Sequence, residues 1–179
     1  QCVCTRVTMA GKAGMCLAGQ EYKPAVAGMK QWLMIGDSIS DGVAAQLHHA
    51  GTNITGHGIQ MTHNPTNAAN VWWGAHCLQE WLADAARWDI ITFNFGLHDL
   101  ALDNERMDPH TSYSTYLTNI TQRIADAAPQ AKLIWVTTTP VPAGIAGYCN
   151  KTTAQGGCPP RVASDPPLYN AAATQAIAA

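Results

Sequence analysis

Gly36, Asp37 and Ser38 close the apolar run Trp32-Leu33-Met34-Ile35 in the segment WLMIGDSISDG. A serine hydroxyl is a weak nucleophile at neutral pH and reacts only when a base lies within hydrogen-bond reach. The placement of this serine suits that chemistry. An apolar strand ending in Gly-Asp-Ser delivers the hydroxyl to the carboxyl edge of a sheet, where ligands bind in open α/β sheets. Gly36 permits a sharp turn, and a helix starting near Ser40–Gly42 leaves the Ser38 N–H close to a helix N-terminus. Developing negative charge is stabilised there. The segment is not a Gly-x-Ser-x-Gly nucleophile elbow, because residue 40 is serine. A serine that merely caps the next helix beside Asp37 is the competing reading.

A second block agrees with the first. Residues 88–100 read WDIITFNFGLHDL, a buried strand running into Gly96-Leu97-His98-Asp99. With Gly-Asp-Ser after one strand and Gly-x-His-Asp after a later one, the chain resembles the SGNH (GDSL-type) hydrolases. The resemblance runs from about Gln31 to the last residue, and the segment IWVTTTPVP adds to it. It implies a flavodoxin-like three-layer α/β sandwich with a parallel sheet, and ester hydrolysis by a serine nucleophile.

The resemblance also implies roles. Ser38 is the nucleophile, and Asp37 orients its loop. The family's oxyanion hole uses a serine N–H, a glycine N–H and an asparagine side chain, and two of these three depart here. Aligning the helix start at Gly74 places the glycine at Ala68, whose backbone N–H survives the change if the loop needs no positive φ there. Asn67 beside it could supply an amide; an ordinary Asn-rich loop is the alternative. The asparagine is replaced by His98, whose imidazole N–H can also donate, unless Asp99 holds that ring structurally. Asn94 lies inside the strand, two residues before the family position, as an amide holding neighbouring backbone. Thr137-Thr138-Thr139 leaves the fourth strand at the same edge and could line the pocket, with Thr139, Asp37, Asn67 and Asp99 around the substrate. Trp72-Trp73 could stack on a sugar ring or could simply pack. The histidines outside these blocks, His63 among them, show no metal-ligand spacing and take surface or structural roles. No metal or cofactor is expected.

One block is missing. The family's base lies in an Asp-x-x-His block beyond a fifth strand, and no Asp-x-x-His occurs in this chain. A serine without its base loses most of its rate. The expectation is therefore a second polypeptide, made by internal cleavage, or a lost tail, that carries strand 5 and the histidine. In a 2-1-3-4-5 sheet this leaves strand 4 as an edge, and the added strand should pair beside residues 132–138. The rival reading, from another class, is a non-catalytic glycoprotein module that keeps the fold.

The elements that must hold these residues follow from periodicity. Strands are expected at Gln31–Ile35, Ile59–His63, Asp89–Phe95 and Leu133–Thr138. Helices are expected at Val43–Ala50, Gly74–Ala86, from Tyr113 to Ala127 before Pro129, and at Leu168–Ala178. Alternating strands and helices give a parallel sheet. Residues 1–28 read as a cysteine-rich extension stapled to a domain over 29–179.

Composition limits the setting. Apolar residues at 47% and charged residues at 12% make the chain globular. A net charge of −2 without a basic block argues against nucleic acid, and no apolar run is long enough to span a membrane. The start at Gln1, six cysteines and the sequons at Asn53, Asn119 and Asn150 suggest a secreted, disulfide-bonded glycoprotein. Cys149 and Cys158 form the expected local pair. Cys2 and Cys4 are too close to bridge each other, so they are expected to reach Cys16 and Cys77. An O-acetyl ester on a carbohydrate is the expected substrate, with a lipid acyl ester as competitor.

Overall fold

A computed structural model describes residues 16, 22–49, 54–102, 106–142 and 161–178. Its strands are β1 (Lys30–Ile35), β2 (Ile59–His63), β3 (Ile90–Phe93) and β4 (Lys132–Trp135). All pair in parallel, in the order β2-β1-β3-β4. Parallel neighbours require crossovers, and helices supply them. These are α1 (Ser38–His49), α2 (Val71–Trp81) and α3 (Ser112–Ala127), with α4 (Asp165–Ala178) following β4. The chain leaves β1 toward β2 on one side and reaches β3 on the other. The carboxyl ends of β1 and β3 therefore flank the point where strand order reverses, the ligand crevice of such sheets.

Side-chain alternation along β1 sorts the two faces. Leu33 and Ile35 join Leu78, Trp81, Ile91, Phe93, Leu117 and Ile120 in the main core beneath α2, α3 and α4. Met34 turns the other way, onto Ala44 of α1 and Met61 of β2. Each such side chain, fully buried, contributes roughly 1.5–3 kcal/mol. β4 is less enclosed than a strand apolar on both faces. Leu133 and Trp135 pack on the core, while Ile134 and Val136 are exposed.

Three expectations are corrected. α1 begins at Ser38, five residues before Val43, because Asp37 caps it. α2 begins at Val71 rather than Gly74 and ends at Trp81, before a short 3-10 turn at Ala85–Arg87. Cys16 and Cys77 bond to each other, at a Cα separation of 5.2 Å, instead of to Cys2 and Cys4. Cys77 is buried on the inner face of α2, and Cys16 packs against the same core, which brings them together. Closing that 61-residue separation contributes about 4 kcal/mol on a chain-entropy account. Cys2, Cys4, Cys149, Cys158, Asn53 and Asn150 lie outside the described residues, and Asn119 is exposed on α3. No helix among the described residues is long and apolar enough to cross a membrane.

Candidate active site

The first turn of α1 makes the site. Asp37 stands at the N-cap: its Oδ1 accepts the Ile39 N–H at 2.9 Å, and its carbonyl accepts the Asp41 N–H at 3.0 Å. Ser38 is thus the first helical residue and not the cap. Its side chain is exposed, and its N–H is among the leading amides that find no partner within a helix. That is the arrangement an oxyanion requires. Among the described residues, no side chain is hydrogen-bonded to Ser38 Oγ.

Ser38 opens on a cleft of about 120 Å³ lined also by Asp41, His63, Asn64, Pro65, Thr66 and Asn67. One buried amide builds this wall. Asn64 Oδ1 accepts the Gly36 N–H at 2.9 Å, and its Nδ2 donates to the Thr66 carbonyl. The end of β1 and the loop after β2 are thereby held as one piece. Asn67 is exposed at the cleft, with Oδ1 accepting the Ala69 N–H at 2.8 Å. Among the described residues nothing accepts from its Nδ2, which can donate.

Ala68 does not take the role expected of it. It is fully buried, and its N–H already donates to the Gly36 carbonyl at 2.9 Å. The residue in the left-handed region is its neighbour Ala69, at φ 50°. The conformation that favours glycine therefore falls one position later than the alignment placed it.

His98 comes to the same edge. Gly96 (φ 141°) turns the chain, and a Cβ there would stand 2.9 Å from Thr138 Cβ. The His98 side chain is one-third exposed, with Nε2 3.9 Å from Asp37 Oδ2. Asp37, and not Asp99, is the carboxylate that faces it. Asp99 is corrected from a substrate contact to a buried support: it has no exposed surface, and Oδ1 accepts the Val71 N–H at the start of α2, 2.9 Å away. Burial pushes its carboxyl up to about 7, against the pull of the amides of Val71, Asp99 and Gly96, and the charge of Asp37 adds to the rise.

Thr139 lies exposed beyond β4 and does not line the cleft at Ser38. Its neighbour Thr138 is buried. The side-chain amide of Asn170 receives the Thr138 N–H at 2.8 Å and donates to its carbonyl at 3.1 Å, as a strand would. Asn94 holds the Val136 carbonyl at 2.6 Å, the backbone role expected of it. Trp73 packs on the core, and the Trp72 ring lies 4.0 Å from that of His76.

Sequence reasoning missed His63, Asn64 and Ser40. His63 Nε2 is 2.8 Å from Ser40 Oγ, and Nδ1 is 2.8 Å from the Asn64 carbonyl. Burial lowers the pKa of His63, opposed by the Asn64 carbonyl and by the charges of Asp41 and Asp37. A signal existed. β2 is expected to end at His63, and the carboxyl ends of neighbouring parallel strands meet, so His63 had to lie beside the β1 turn.

No protein-family model matches the chain, and no curated protein matches its sequence. Solved structures do match. A protein from Parabacteroides merdae named as a GDSL-like lipase superposes with a TM-score of 0.58 at 13% identity, covering 86% of this chain and 76% of its own. An extracellular lipase from Streptomyces rimosus (TM-score 0.45, 14% identity, 83% and 72% covered) and a phospholipase A1 from Streptomyces albidoflavus (0.43, 11%, 83% and 72%) also match. The first of these carries the fold assignment. The chain has the fold of the SGNH, or GDSL-type, hydrolases.

Proposed function

We propose that the chain belongs to a secreted serine esterase of the SGNH type, in which Ser38 attacks the acyl carbonyl of a small ester. The observation that carries this reading is Ser38 itself: exposed, at the first position of α1, and open to a cleft that Asp41, His63 and Asn67 also line. Ser38 Oγ bonds to the carbonyl carbon, the ester C–O bond breaks, and the serine proton passes through a base to the leaving alkoxide. Water then cleaves the acyl-serine to the free acid. The Ser38 N–H, the Asn67 amide and His98 stabilise the oxyanion.

Size and lining of the cleft support a small substrate ester. A cleft of about 120 Å³ has room for a small acyl group such as acetyl. Asn67, exposed at the cleft, offers a hydrogen bond to a hydroxyl-rich alcohol, which supports an O-acetyl carbohydrate. The base comes from a further polypeptide segment bearing a fifth strand and Asp-x-x-His. The exposure of Ile134 on β4 and of Val136 just beyond it, at the end of the sheet order, supports an added element there.

A fluorophosphonate probe tests the proposal on the complete protein. Mass spectrometry should find the adduct on Ser38, and Ser38→Ala should lose both the adduct and ester hydrolysis while its thermal midpoint stays nearly unchanged. The rival reading, a non-catalytic extracellular module, draws on Ala68, whose N–H is already engaged. Inertness of the complete protein toward the probe would establish it instead.

A further inference from the structure

Hydrogen atoms are the key to the contacts of His63. Nδ1 lies 2.8 Å from the Asn64 carbonyl, which only accepts, so Nδ1 carries a hydrogen. Nε2 lies 2.8 Å from Ser40 Oγ, and Ser40 Oγ lies 2.7 Å from the Asp37 carbonyl, again an acceptor only. Ser40 has a single hydrogen for two neighbours. With that hydrogen on Asp37 O, Ser40 Oγ must accept from Nε2–H. The ring is then an imidazolium with both N–H groups satisfied. With a neutral ring, the Ser40 hydrogen turns to Nε2. Two bare oxygens are left facing each other at 2.7 Å, and they must separate. Gain or loss of one proton on His63 therefore decides whether Ser40 stays tied to the carbonyl of the residue preceding Ser38.

We infer that His63 is a positioning residue for Ser38, acting through Ser40 on the Gly-Asp-Ser turn. The inference rests on the reading of Ser38 as nucleophile. His63, at the end of β2, and Ser38, at the start of α1, line one cleft. The titratable groups facing the ring are Asp41 of α1 and Asp37 of the turn, both of which favour the imidazolium, while burial disfavours it. Burial outweighs them, so the ring takes up its second proton at lower pH than a free imidazole does. In the imidazolium arrangement the turn is held by a continuous path: Asn64 carbonyl, ring, Ser40, Asp37 carbonyl. In the neutral arrangement the path is cut next to the nucleophile.

Two measurements on the complete protein decide the matter. In the first, ring nitrogen resonances of His63 are followed by NMR through the pH range, in the native protein and in Ser40→Ala. The neutral ring should keep its hydrogen on Nδ1, and the midpoint should fall to lower pH in Ser40→Ala, because the imidazolium loses an acceptor. An unchanged midpoint, or a neutral ring protonated on Nε2, would overturn the relay. In the second, the rate of fluorophosphonate labelling at Ser38 is measured against pH. The native protein should show a limb at the His63 midpoint. His63→Gln, which cannot titrate, should lose that limb, and His63→Ala should label on the order of tenfold to a hundredfold more slowly. A limb that persists in His63→Gln, or an undiminished rate in His63→Ala, refutes the positioning role while leaving Ser38 as nucleophile. A native protein that never labels refutes the nucleophile reading itself, and the positioning role falls with it.

Discussion

Ser40 Oγ occupies the place where a side chain on Gly36 would begin: a Cβ built on Gly36 stands 2.3 Å from Ser40 Oγ and 2.9 Å from Ser40 Cβ. The glycine of Gly-Asp-Ser is thus required by the third residue of the helix that follows, as well as by the turn. This packing folds the start of α1 back over the end of β1. It sets Ser38 at the rim, with the Gly36 N–H held by Asn64 and the Gly36 carbonyl by Ala68.

Gly36→Ala should accordingly destabilise the protein by about 1–3 kcal/mol, the usual cost of overpacking. The obstructing atoms belong to the start of a helix and cannot simply swing aside. Gly36→Ala combined with Ser40→Gly removes them and should recover part of the loss, less about 1 kcal/mol for glycine within a helix. Urea unfolding of the four proteins gives the coupling energy. A coupling near zero would show that the two residues do not meet.

Asp37 caps α1 through Oδ1, and an asparagine can do the same. Asp37→Ala should cost about 0.5–2 kcal/mol of stability, whereas Asp37→Asn should stay close to the native value. The two variants separate the cap from the charge that faces His98. Equal losses in both, measured by chemical unfolding, would mean that charge and not capping holds the turn.

How far the sequence reveals this molecule depends on the range of the interactions concerned. β2 at Ile59–His63 and the span of α3 are readable because each follows from its own pattern of apolar residues. The start of α1 is not, since the pattern of apolar residues begins at Val43 while the cap that sets the true start is Asp37, a polar residue six positions earlier. The candidate site divides along the same line. Ser38 and His98 stand out as candidates because their motifs are local. His63 and Asn64 serve the site through bonds to Ser40 and Gly36, 23 and 28 residues away, and no periodicity marks such a pairing. The place of Asp99 is hidden for a related reason. Its motif puts it beside His98, yet the N-terminus of α2 claims its carboxyl and draws it under the surface.

The resemblance puts His98 at the position of the family's asparagine, and its ring is partly exposed next to Asp37. If it donates to the oxyanion, His98→Asn should retain much of the activity and His98→Ala should lose on the order of 10²-fold. Probe labelling and ester turnover of the complete protein both report this. A loss in His98→Asn equal to that in His98→Ala would show that the imidazole acts through Asp37 and not as a donor.

The last prediction concerns pH and stability, and it falls on Asp99. Its carboxyl is fully buried, with Oδ1 on the Val71 N–H and Oδ2 without a partner among the described residues. Burial raises its pKa from 3.8 to about 7 in the folded protein. Between those two values the folded state holds a proton that the unfolded state has released. Stability from this group is therefore full below pH 3.8, falls as pH rises toward 7, and is level above that. The total fall is on the order of a few kcal/mol. Asp99→Asn keeps an oxygen for the Val71 N–H and cannot ionise. Its stability should vary less with pH over that window, so that wild type loses ground to the variant as pH rises. Unfolding free energies measured from pH 4 to pH 8 test this directly. Parallel curves for the two proteins would show that Asp99 is ionised in the fold throughout, with its charge compensated by the amides around it.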